Sequence, residues 1–174
     1  MMVNYLELPV GERAPESFRT VIEIPKDGTS KFEYDKELHV FKLDRSLHSP
    51  VHYPGDYGFI PSTLSDDGDP LDVLVLTQFP TFPGCLIKAR ILGMVNMSDE
   101  KGEDFKLLAV PAYDKAWRDA LDIDDVPKAD KDRIAHFFTV YKDLDEGKWS
   151  KVENWVGREA ALAELAKSVE RFTR

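Results

Sequence analysis

The stretch Asp66-Asp67-Gly68-Asp69-Pro70-Leu71-Asp72-Val73-Leu74-Val75-Leu76 sets an acidic turn directly against a run of apolar side chains. Asp, Gly and Pro are turn formers, and the nearly continuous aliphatic run from Leu71 to Thr77 reads as a short strand buried on both faces. Carboxylates crowded at the mouth of such a strand repel one another and lose solvating water as the strand buries. Hard divalent cations compensate both effects. Mg²⁺ takes oxygen ligands, keeps several waters and bridges carboxylates to phosphates, which makes this run a candidate metal platform. A plain polar turn feeding a strand is the duller alternative. An EF-hand loop fails, because its sixth position is Asp72 where Gly is needed and its twelfth is Gln78 where Glu is needed.

Working outward, Val21-Ile22-Glu23-Ile24 and Lys31-Phe32-Glu33-Tyr34-Asp35 alternate with period two around a Pro25-to-Thr29 turn. They predict a hairpin with Lys31 and Glu33 on one side and Glu23 close by. Further strands are expected at Leu38 to Leu43, Leu86 to Val95, Asp104 to Val110 and, short, Lys148 to Val152. Asp104, Lys106 and Leu108 share one face of theirs. The segment Val51 to Leu64, rich in Pro, Gly and aromatics, reads as irregular. The period then changes. Ile134, Phe137, Phe138 and Tyr141 have helical spacing and predict a helix over 128–141, and Leu162, Leu165, Val169 and Phe172 stripe a second, closing helix. Short strands followed by helices favour a mainly β architecture, a small closed barrel with helices packed outside it.

Composition narrows the function. The chain has 174 residues, 43% of them hydrophobic, enough for one domain spanning 1–174. With 32 acidic and 23 basic residues the net charge is −9, which disfavours nucleic acid as a partner. The longest uncharged stretch, Val73 to Ile87, is broken by Pro80 and Pro83, so no membrane span is expected. Cys85 is the sole cysteine, and the N-terminal residues lack a basic and apolar signal region, so the expected setting is cytoplasmic. Neither nucleotide-cradling glycine motif occurs. The four histidines lack zinc-ligand spacing, and Trp117, Trp149 and Trp155 read as core.

Several ordered segments resemble one family. They are Val21-Ile22-Glu23-Ile24-Pro25, Lys31-Phe32-Glu33-Tyr34, Leu43-Asp44-Arg45, Tyr53-Pro54-Gly55-Asp56-Tyr57-Gly58-Phe59-Ile60 and Asp67-Gly68-Asp69-Pro70-Leu71-Asp72-Val73. Asp99-Glu100-x-Gly102-x-Asp104-x-Lys106, His136-Phe137-Phe138-x-x-Tyr141-Lys142-Asp143-Leu144 and Gly147-Lys148-Trp149-x-Lys151-Val152-x-x-Trp155 follow in the same order. Together they resemble the soluble inorganic pyrophosphatases of family I, bacterial type, from about residue 18 onward.

That resemblance implies an OB-like five-stranded barrel with flanking α-helices, commonly a homohexamer, that hydrolyses diphosphate to two phosphates with Mg²⁺. By the same resemblance Asp67, Asp72, Asp99 and Asp104 match metal-ligand carboxylates, and Glu23 matches a position that holds water on the metal. Asp69 matches the general base. Lys31, Arg45, Tyr57, Lys106, Tyr141 and Lys142 match phosphate contacts, with Glu33 and Tyr53 in support. The chemistry suits these types: an arginine fork grips phosphate oxygens, lysines act as point charges, and metals together with a base activate water. Two rivals are an OB-type module stacking single-stranded bases on Tyr53, Tyr57 and Phe59, and a hydrolase of nucleoside triphosphates or other phosphoesters.

Overall fold

The computed structural model describes residues 3–173. Among the described residues eight strands and two α-helices follow one another as β1 (Phe18–Ile24), β2 (Ser30–Asp35), β3 (Val40–Ser46), β4 (Asp56–Phe59), β5 (Asp72–Val75), β6 (Leu86–Asp99), β7 (Gly102–Pro111), α1 (Lys128–Val140), β8 (Ser150–Gly157) and α2 (Arg158–Phe172). Strands β1, β4, β5, β7 and β6 pair in that order, and β6 pairs back onto β1, closing a five-stranded ring. Only β5 and β7 run parallel within it; β8 adds to the remaining edge of β6. The expected mainly β, OB-like closed barrel with flanking helices is therefore the fold.

Alternation along the strands explains how both faces are buried. Leu74, Leu76, Leu108 and Val110 pack in one cluster with Ile134, Phe137 and Phe138 of α1, while Val73, Val75, Leu107 and Ala109 pack in another with Ala161 and Leu165 of α2. Each such fully buried aliphatic contributes roughly 1.5–3 kcal/mol, so the apolar run of β5 is secured from two sides. Helix α1 spans the expected residues and ends as Tyr141 caps it, buried against Phe137. Helix α2 has no local side-chain cap; Asp122 Oδ2 instead accepts from Arg158 N at 3.1 Å, which fixes where the helix starts.

Several expectations change. Strands β1 and β2 do not form a hairpin ladder; β2 pairs with β3 in a separate two-stranded sheet, because β1 is fully engaged by β4 and β6. Strand β3 runs to Ser46 and so includes Arg45. The segment expected to be irregular contains β4, whose Gly58 permits the close approach of β1. Strands β6, β7 and β8 are longer than their patterns, since ladder partners extend them beyond the alternating core. The α2 stripe turns toward Ala161, Leu165 and Ser168, leaving Phe172 exposed. Trp149 is also exposed rather than core, and His136 is exposed. Among the described residues no helix is long and apolar enough to cross a membrane.

Candidate active site

The parallel register of β5 and β7, with Val73 beside Leu107, carries Asp72 alongside Lys106. Lys106 Nζ then lies 2.5 Å from Asp72 Oδ2 and 2.7 Å from Asp104 Oδ1. Asp104 precedes Lys106 by two residues on the same strand face, as expected. The Lys106 ammonium is buried and sits 5.9 Å from the Tyr57 ring centroid. Burial alone would lower its pKa, yet Asp72, with Tyr57 and Asp104, holds it well above the ordinary lysine value. At the far end of the β6–β7 hairpin, Lys142 Nζ contacts Asp99 Oδ2 at 2.7 Å and Glu100 Oε2 at 3.6 Å. Lys142 follows Tyr141 directly, so the end of α1 delivers a phenol and an ammonium to the same wall.

The separate β2–β3 sheet carries the remaining expected cations. Lys31 contacts Glu33 and lies 3.5 Å from Asp44, while Arg45 reaches Asp44 and Asp145. Glu23 Oε1 accepts from Tyr34 N at 2.8 Å, which joins β1 to β2 through a side chain. Burial pushes the Glu23 carboxyl up to about 8; the Tyr34 N–H opposes this, and Asp72 and Glu33 add to it. Asp104 is likewise raised, by burial first and by Asp72 and Asp99 besides, with Lys106 opposing.

Asp67 and Asp69 remain on an exposed turn. Asp69 N donates to Asp67 Oδ1 at 3.0 Å, Ser65 N donates to Asp69 O at 2.8 Å, and Gly68 supplies the φ of 85° that the turn needs. Lys36 reaches over from the turn after β2 to Asp69 Oδ1 at 2.6 Å. Tyr53 is buried beneath Tyr57 and against Phe137, with ring centroids 5.5 and 4.6 Å away. It supports Tyr57 from below and offers no face on which a base could stack, which weighs against the nucleic-acid rival.

The structure thus brings Asp72, Asp104, Lys106 and Tyr57 together, joins Asp99 to Lys142, and sets Glu23 near Asp72, Glu33 and Lys31. Among the described residues no three Asp, Glu, His or Cys side chains are grouped closely enough to hold one ion. Asp72 and Asp104 instead pair with Lys106, and Asp99 with Lys142. The donor set nevertheless fits a hard dication: it is oxygen only, without Cys or His, and Glu23 and Asp104 are raised first by burial and further by neighbouring carboxylates, both of which a divalent charge offsets.

Comparison with known proteins identifies the family. The family model described as inorganic pyrophosphatase matches residues 20–173. The chain belongs to the inorganic pyrophosphatase family. An inorganic pyrophosphatase of Thermus thermophilus is 49% identical over 98% of this chain and 99% of its own length. One from Pseudomonas aeruginosa is 45% identical over 99% of this chain and 100% of its own. The crystal structure of the Thermus thermophilus pyrophosphatase superposes with a TM-score of 0.97 at 48% identity, covering 99% of this chain and all of that one (100%).

Sequence reasoning left some of this pyrophosphatase site unassigned. Asp44 and Glu100 stand inside the quoted motifs beside Arg45 and Asp99, and their adjacency was the available signal. Lys36, Asp145 and His48 carried none, because each meets its partner only through tertiary packing.

Proposed function

We propose that this chain hydrolyses inorganic diphosphate to two orthophosphates, using Mg²⁺ held by Asp67, Asp72, Asp99, Asp104 and Glu23. The observation that carries the reading is the interleaving of charge: Lys106 between Asp72 and Asp104, and Lys142 on Asp99, so that two of the anion-binding cations stand beside acidic oxygen donors. Bound magnesium would offset diphosphate charge and acidify a water at neutral pH.

The chain's own residues supply the rest. Lys31 and Arg45 on the β2–β3 sheet, and Tyr57, Lys106, Tyr141 and Lys142 on the barrel side, orient the phosphoryl oxygens from two directions. Asp69 takes the proton of the attacking water as its oxygen bonds to phosphorus and the bridging P–O bond breaks. The departing phosphate leaves with its negative charge balanced by the lysines and by Arg45. Glu33 holds Lys31, and Tyr53 backs Tyr57.

The same reading makes residues 1–174 one domain acting in the cytoplasm as a homohexamer; exposed Phe79, Phe82 and Tyr113 are apolar surface available to subunit contacts. Phosphate release from diphosphate with and without Mg²⁺, compared with ATP, tests the activity. Magnesium-dependent release from diphosphate, with ATP a far poorer substrate, is expected. Equal turnover of both, or release unaffected by chelation, overturns it. Mass measurement in solution tests the hexamer.

A further inference from the structure

The β2–β3 sheet carries Lys31 and Arg45, yet among the described residues no strand ladder joins it to the six-stranded sheet that carries the rest of the site. Beyond the turn that links β1 to β2 and its backbone hydrogen bonds to Tyr53, side chains set the distance between the two. At Arg45 one carboxylate does so from 100 residues away in sequence: Asp145 Oδ2 accepts from Arg45 Nε at 3.2 Å and lies 3.0 Å from Nη2. The other oxygen is used as well. Asp145 Oδ1 lies 2.9 Å from His48 Nδ1, and the aspartate side chain is only 9% exposed. Asp145 belongs to the turn that follows α1, and its backbone N–H donates to Lys142 O at 2.9 Å. One turn thus holds Lys142 on Asp99 and Arg45 on the aspartate.

We propose that Asp145 is a positioning residue for Arg45, fixing the guanidinium opposite the Lys106–Lys142 wall, with His48 completing the brace from the loop after β3. This rests on the diphosphatase reading of the site. A guanidinium has five N–H groups. Nε and Nη2 engage Asp145 and Nη1 engages Asp44, which leaves one N–H on each terminal nitrogen for a phosphoryl oxygen. The partly buried fork loses little rotamer freedom on binding because the aspartate has already immobilised it.

The proposal gives a sign opposite to simple electrostatics. Removing a carboxylate near a polyanion's site would, by charge alone, tighten diphosphate binding. Removing a brace loosens it. Steady-state kinetics of Asp145→Asn and Asp145→Ala are expected to give KM for diphosphate raised about tenfold with kcat within about threefold, as for loss of one charge-assisted contact. His48→Ala should raise KM in the same direction by a smaller factor. In a double-mutant cycle, Asp145→Ala combined with Arg45→Lys should cost little more than Arg45→Lys alone. An unchanged or lowered KM, or additive effects in the cycle, overturns the proposal. Thermal melts of the variants identify any that fail to fold, and Asp145→Asn, nearly isosteric, keeps the test available in that case. Wild-type protein that releases no phosphate from diphosphate defeats the functional reading itself, an outcome distinct from variants that match an active wild type.

Discussion

Lys106 and Asp72 stand side by side on parallel strands, Nζ to Oδ2 at 2.5 Å, with the lysine buried and the aspartate partly exposed. The lysine keeps apart two acids, Asp72 and Asp104, that would otherwise repel. In the structure this part of the proposed diphosphate site is held together by its own opposite charges.

Lys106→Met leaves those two acids without their shared cation. The metal-free variant should lose about 1–3 kcal/mol of stability, less than a fully buried pair because both carboxylates keep some solvent. Mg²⁺ should recover more of its melting temperature than of the wild type's, since a dication replaces the missing charge. Calorimetric melts with and without Mg²⁺ check this, and equal shifts in both proteins would count against it.

Asp69→Asn removes the proposed proton acceptor while keeping the turn, whose bonds to Asp67 and Ser65 use the Asp69 backbone. Turnover should fall by about 10²–10⁴ with KM changed only a few-fold. Lys36→Ala, which deletes the exposed ion pair to Asp69, should cost far less. Near-normal kcat for Asp69→Asn would remove it from the chemistry.

Glu23 gives a pH dependence. Its folded pKa is raised, mainly by burial, from about 4.5 to about 8. Between those values the folded protein holds a proton that the unfolded chain has lost, so this contribution is complete at low pH and disappears as pH rises through the window. The metal-free wild type should weaken from about pH 5 to about pH 8, and Glu23→Gln should flatten that slope. Urea midpoints across the range in a chelating buffer decide it. Parallel slopes would show that Glu23 is not the group responsible.

Gly58 bears on folding rather than chemistry. A Cβ there would stand 1.9 Å from the Val21 carbonyl oxygen, backbone against backbone, so neither atom can swing aside. Gly58→Ala should destabilise by about 3 kcal/mol, through a forced separation of β1 from β4. A urea midpoint within error of the wild type would show that the strands absorb the change.

The sequence carried the strand beginning at Asp72, helix α1 and the Asp104–Lys106 face, because each is stated by spacing within a few residues. It misdirected at Val21–Asp35, where two alternating runs across a turn look like a hairpin. Strand β1 has only two edges, and the ring takes both, so β2 must find β3. Strand β4 was hidden for a related reason: Gly58 and the flanking aromatics resemble a loop until β1 approaches closely enough to require a glycine.

The chain alone determined the donor inventory and its local order: acidic oxygens on a turn, cations and phenols at fixed offsets, and motifs that resemble one family. Tertiary structure alone decided which of these meet. Lys106 finds Asp72 through a parallel register set by ring closure, and Arg45 finds Asp145 across 100 residues. Side-chain alternation encodes which face a residue takes. Register between distant strands comes from the free energy of burying both faces of the sheet together, which no short window of sequence contains.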